Sequence, residues 1–183
     1  MLEEYLIGNC SPTLASLKMA NLFSMPYGSE MELYRQITYW NRQMAGKGIT
    51  VLLMRRHPER ALIYVCRKAR LAQTLARSEV RVFLAGYGYS GKTVDGALEH
   101  LQRRLCDSED FPHEIGIFLD YPLGDVIGFI ENGGQNFKCS GCWKVYCDEC
   151  EAQKRFVRYK KCRDVYLRLW RKGRSVLQLT VAA

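Results

Sequence analysis

The sequence predicts an α+β fold, a small mixed or antiparallel sheet packed against several helices, and three observations carry that prediction. Amphipathic stripes at helical spacing recur along the chain, several of them opened by a capping signal. Short apolar runs, partly β-branched, stand between them as strand candidates. With 183 residues of which 48% are hydrophobic, the chain suits one compact domain over residues 1–183 with a substantial core. No repeat, low-complexity tract or linker divides it.

Taken in order, Ser11 followed by Pro12 reads as an N-cap with proline at the first helical position, opening a helix to about Leu22 or Phe23. Ser29 and Glu32 form a capping-box pattern, after which Leu33, Ile37, Trp40 and Met44 keep helical spacing until Gly46 and Gly48. Ile49–Arg55 and Ala61–Arg67 read as a hairpin across Arg56-His57-Pro58-Glu59-Arg60. Ala69–Ala76 reads as helix, Ser78–Ala85 leaves helix and strand both open, and Val94, Ala97, Leu98, Leu101 and Leu105 mark another helix. The apolar run after Phe111-Pro112-His113-Glu114, from Ile115 to Leu119, reads as a buried strand, and Leu123–Glu131 as a short helix ended by Asn132-Gly133-Gly134. Cys142–Cys147 reads as a strand with Trp143 and Val145 on one face. A long helix follows, with the stripe Ala152, Phe156, Tyr159, Cys162, Tyr166 and Leu169, stopped by Gly173. Ser175–Val181 reads as a last edge strand.

Composition narrows the function classes. No apolar run approaches the roughly 20 residues a bilayer requires, and the first nine residues lack a basic, cleavable leader pattern, so a cytoplasmic protein is expected. Eight cysteines in a chain with a full-sized core are then expected as reduced thiols with packing, metal or catalytic roles. The formal charge of +8 is uneven: Lys154–Arg174 holds ten basic residues and one acid, Asp164.

Four constellations are candidate sites. Cys10 before a helix N-terminus and His113 at a strand start form a thiol–imidazole pair suited to thiol-dependent hydrolysis or acyl transfer. Cys10 would be the nucleophile, His113 the base, and Glu114 or Asp148 the orienting group. Asp148 reaches His113 if Cys142–Cys147 runs antiparallel to His113–Leu119. The plainer reading makes Cys10 a small buried hydrophobe and leaves His113 bonded to backbone or to Glu114. Cys139, Cys142, Cys147 and Cys150 supply four thiols in two CxxC pairs. A strand between the pairs would hold their ends too far apart for one zinc, so isolated thiols are the default. Gly86 to Thr93, with Gly91 and Lys92, matches the phosphate-binding pattern GxxxxGK[ST] and would bind nucleotide if a strand preceded it. Lys154–Arg174 could meet an acidic partner or nucleic acid, its aromatics falling mostly on the core stripe. No cofactor is indicated.

Asn9-Cys10-Ser11-Pro12-Thr13-Leu14, Phe111-Pro112-His113-Glu114-Ile115-Gly116 with Leu119 to Pro122, Asp125-Val126 and Gly141-Cys142-Trp143-Lys144-Val145-Tyr146 together carry a resemblance. On them the chain resembles the bacterial domain-of-unknown-function family 3793, from near the N-terminus to Gly173-Arg174-Ser175. The resemblance implies a small bacterial cytosolic protein. It brings no activity, cofactor or partner, and it implies that the region around Gly86 is a helix ending in Gly-Tyr.

Overall fold

A computed structural model describes residues 1–107 and 111–182. Among the described residues the chain forms, in order, α1 (Leu2–Leu14), β1 (Ala20–Pro26), α2 (Glu30–Met44), β2 (Ile49–Arg56), β3 (Arg60–Arg67), α3 (Lys68–Ala76), α4 (Ser78–Ala85) and α5 (Val94–Asp107). It continues with α6 (Ile115–Phe118), α7 (Leu123–Glu131), β4 (Cys139–Ser140), β5 (Lys144–Val145), α8 (Glu149–Arg171) and α9 (Val176–Leu179). The fold is α+β: a three-stranded antiparallel sheet of order β1-β3-β2, plus the small β4–β5 hairpin, packed against helices.

The central strand explains the layering. In β3, Ala61, Ile63 and Val65 point to one face, while Tyr64 and Cys66 point to the other, and all five are fully buried. The first face packs with Phe23, Met25 and Val51 against α1, α2 and Val176 of α9. The second packs with Ala20 and Met54 against α3, α4, α5 and α6. Strand alternation carries Leu52 and Met54 to the second face, and the β2–β3 pairing shifts between Leu53 and Arg55. Sheet and helices thus enclose two cores, and a third, smaller cluster of Trp143, Val145, Ala152 and Tyr159 sits beneath the β4–β5 hairpin.

Four expected elements are corrected. The first helix spans Leu2–Leu14, so Ser11 is inside it rather than at its cap. Leu2, Leu6, Ile7, Cys10 and Leu14 recur at helical spacing and are all fully buried, and the Ser11 hydroxyl donates back to the Ile7 carbonyl. Pro12 is tolerated in the last turn, where its carbonyl accepts the amides of Leu17 and Lys18. Residues 20–26, expected as the end of that helix, pair with β3 as β1.

The expected strand Ile115–Leu119 is instead a single buried helical turn, α6. A five-residue, fully buried apolar run carries no periodicity that separates strand from helix. Asp120, at φ 68°, reverses the chain after it. Of Cys142–Cys147 only Lys144–Val145 pairs, and it does so with Cys139–Ser140 rather than with residues 113–119. The expected edge strand Ser175–Val181 contains α9, opened by a capping box in which Ser175 and Gln178 bond each other's backbone amides. Ser78–Ala85, left open, is helix. The Ser29 cap, the β2–β3 hairpin, α5, α7 and the long α8 fall where expected.

Candidate functional site

A cleft of about 320 Å³ opens beside His113, between α6, α7 and the β4–β5 hairpin. Its back wall is fixed by one buried carboxylate. Asp125, in the first turn of α7, accepts the Trp143 indole N–H at 2.7 Å and the amides of Tyr146 and Cys147 at 2.8 Å each. The hairpin can approach α7 this closely because Gly124 and Gly128 have no side chains. A Cβ on Gly124 would lie 2.5 Å from Cys147 Sγ, and one on Gly128 would lie 2.6 Å from Tyr146 Cβ.

Trp143 stacks on Tyr121 with ring centroids 5.0 Å apart and meets Phe156 edge-on at 4.6 Å. His113 is exposed at the mouth, its ring 4.9 Å from that of Phe129 and 5.9 Å from that of Phe111. Lys144 donates to the Gly134 carbonyl at 2.7 Å and lies over the rings of Phe129 and Phe137.

Cys10 lies elsewhere. It is fully buried in the core formed by α1, α2 and the sheet, and burial pushes its thiol well above the ordinary range, against a weaker lowering pull from Lys18. No hydrogen bond joins it to His113. Glu114 is also withdrawn from His113: its buried carboxylate pairs with Arg104 and accepts the Tyr89 hydroxyl at 3.2 Å. Burial first, and Glu114 second, push the Tyr89 phenol up. Asp148 caps α8, accepting the Glu151 amide at 2.9 Å. The structure therefore gives each of the four residues a separate setting, and only His113 lines the cleft.

Residues 86–93 stay together, in the connection between α4 and α5. Gly86 follows helix α4 rather than a strand, and Thr93 Oγ1 accepts the Gly96 amide at 3.1 Å in the first turn of α5. Gly91, Lys92 and Thr93 line an open hollow of about 780 Å³ beside α3 and α4, without the strand-to-helix turn that wraps a phosphate. Among the described residues no group of three or more His, Cys, Asp or Glu side chains is close enough to hold a metal ion. Cys139, Cys142, Cys147 and Cys150 have different surroundings. Burial and then Glu149 raise the Cys139 thiol, burial and then Asp125 raise Cys147, and burial raises Cys142 against Lys18 and Arg163.

Lys18 was not singled out by sequence. It is 4% exposed, with its ammonium 5.2 Å from the Tyr121 ring and 6.0 Å from that of Tyr159, and burial lowers its pKa. No local pattern marks it, because its neighbours come from residues a hundred or more positions away. Asp125 and Trp143 are separated by 18 positions and could have been paired only by knowing the α7–hairpin packing.

On α8, Lys154, Arg158, Lys161, Arg168 and Lys172 are exposed and spaced by 4, 3, 7 and 4 residues, with Lys172 at its C-cap. That spacing places them in one stripe within roughly 80° of arc, about 27 Å long. Tyr159 is buried on the opposite side, and Tyr166 and Trp170 pack against the sheet core. Of the basic residues of α8, only Arg155 is ion-paired among the described residues, with Glu151 at 3.3 Å.

Fold and surfaces together define an α+β protein with a small aromatic cleft and a long basic helical face. The chain belongs to DUF3793, a family of proteins of unknown function, whose model matches residues 6–180. No curated protein and no solved structure matches the chain. No helix among the described residues is long and apolar enough to cross a membrane.

Proposed function

We propose that the protein is a noncatalytic binding protein whose α8 docks on the phosphate backbone of double-stranded nucleic acid. The observation that carries the reading is the stripe Lys154, Arg158, Lys161, Arg168 and Lys172, exposed on one long helix and without ion-pair partners among the described residues. A row of cations of that length matches a polyanion and binds it by releasing condensed counterions, without reading bases. The helix aromatics face the core, which favours a duplex backbone over single strands, whose bases need exposed rings to stack on. Burial of Cys10 and the separate settings of Glu114 and Asp148 weigh against the thiol-hydrolase alternative, and the helix before Gly86 weighs against nucleotide binding.

The test is titration of a random-sequence duplex at several salt concentrations. Five phosphate contacts give a log–log salt slope of about −4.5. The double variant Lys161→Glu with Arg168→Glu weakens binding by tenfold or more, on the order of the loss expected when two contacts become repulsive. A salt-insensitive affinity, an unchanged double variant, or tighter binding of polyglutamate than of the duplex rejects the reading.

A further inference from the structure

We propose that the cleft between α6, α7 and the β4–β5 hairpin is a binding site for a small, flat, unsaturated carboxylate, independent of the α8 surface. Three features of the cleft point to that chemistry.

Its walls are aromatic and pre-arranged. Trp143 is held from behind by Asp125 and by its stack on Tyr121, so the indole needs no reordering to receive a ligand. The rings of His113 and Phe129, and beyond them Phe111, continue the aromatic surface to the mouth. Phe111 is 46% exposed and carries that surface out to solvent. Ring faces and edges arrayed in this way favour a planar π-system over a branched aliphatic one.

The volume fits a small molecule. At about 320 Å³ the cleft lies at the lower end of ligand pockets, which suits a body of one or two fused rings rather than a nucleotide or a peptide.

Its charge is positive where a ligand group could reach it. The Lys144 ammonium bonds one carbonyl, Gly134, and keeps two N–H donors. The carboxylate in the lining, Asp125, has both oxygens committed, Oδ2 to the Trp143 indole and Oδ1 to two amides, so it is not available to a cation. An aryl carboxylate could therefore lay its ring between His113, Phe129 and Trp143 and direct its anion to Lys144, a charge-assisted bond at the edge of an apolar site. Cys142 also lines the cleft and is exposed, which provides a built-in reporter.

The experiment uses the full chain and two probes with the same ring system, 2-naphthoate and 2-naphthylmethanol, titrated by calorimetry. The expected result is one-to-one binding of 2-naphthoate with an affinity about fivefold or more above that of the alcohol. Lys144→Met brings the two affinities together. 2-Naphthoate also slows iodoacetamide alkylation of Cys142 and leaves Cys150 unaffected, a comparison that stands on the unmodified protein if Lys144→Met does not fold. The Lys161→Glu, Arg168→Glu variant binds 2-naphthoate as the unmodified chain does, which separates this site from α8. No saturable binding up to about 1 mM, equal affinity for acid and alcohol, or absence of protection at Cys142 overturns the proposal.

Discussion

The carboxylate of Asp125 and the indole of Trp143 are joined by a 2.7 Å hydrogen bond buried between α7 and the β4–β5 hairpin. With the two amides that Asp125 also accepts, this one side chain holds the hairpin to the helix. Its two ladder strands have only two residues each, too few to hold a hairpin in place on their own. Asp125→Ala leaves the buried indole donor and two part-buried amides without their acceptor and costs about 3 kcal/mol. Asp125→Asn keeps an acceptor for the amides and costs about half as much, with the loss confined to the indole contact. Urea unfolding followed by far-UV dichroism measures both; a loss under about 0.5 kcal/mol for the alanine variant refutes the role assigned to Asp125.

The thiols are expected to divide by burial. In the native protein Cys106, Cys142, Cys147 and Cys150 are exposed and react with a soluble disulfide reagent in the fast phase, whereas Cys10 and Cys66 react only as the protein opens. A fast-labelling Cys10 that slows in His113→Ala would instead restore the thiol–imidazole enzyme.

The same burial sets an alkaline limit on stability. Burial pushes Cys66 up to about 12 and Cys162 up to about 11, and it raises Cys10 further still. Above about pH 9 the unfolded chain releases these protons while the folded chain keeps them. Stability contributed by each thiol is thus complete below pH 9 and is lost as pH rises toward the folded value, with a slope of at most about 1.4 kcal/mol per pH unit for a fully buried thiol. Lys18 works in the opposite sense, since its lowered pKa makes the unfolded chain the better proton binder below about 10.5, but it is one group against three. The expected outcome is a falling unfolding midpoint between pH 9 and 11, shallower in Cys66→Ala. A flat profile would mean that the thiols are not shielded as described.

How much of this was legible in the sequence depends on where the information sits. Ser29 and the stripe Leu33, Ile37, Trp40 and Met44 specify α2 by themselves, because cap and apolar face are both local. The hairpin Ile49–Arg67 is equally local, and so is the cationic stripe of α8. Pro12 misled the reading of α1, since Ser-Pro marks a helix start by propensity, while here the burial of Leu2, Leu6 and Ile7 dictates the element. Ile115–Leu119 could not be resolved, because a short wholly apolar run satisfies strand and helix alike. Of the candidate cleft, His113 was legible as a polar residue before a buried run. Phe129, Lys144 and the Asp125–Trp143 bond were not, as they exist only after α7 meets the hairpin.

Arg67 ends β3 with a side chain 2% exposed and no carboxylate partner among the described residues, and the hydrogen bonds its guanidinium makes there all go to carbonyls. Nε donates to Thr13 at 2.8 Å, and Nη2 to Leu14 at 2.9 Å and to Val181 at 2.8 Å. The first two are carbonyls at the C-terminal end of α1, beyond its helical ladder, where a cation also complements the helix dipole. The third ties the segment after α9 to the same point, where the Val181 amide bonds Leu14 as well. Burial lowers the pKa of the guanidinium, which nonetheless stays charged at neutral pH. Arg67→Met removes all of these donors and costs about 3 kcal/mol or more, and Arg67→Lys recovers only part of that, because an ammonium cannot span carbonyls on both sides of a planar fork. Hydrogen exchange separates this role from simple core packing. In Arg67→Met, amide protection is lost first in the last turn of α1 and at residues 176–182, while β2 and β3 stay protected. Uniform loss across the sheet would show that Arg67 only fills space.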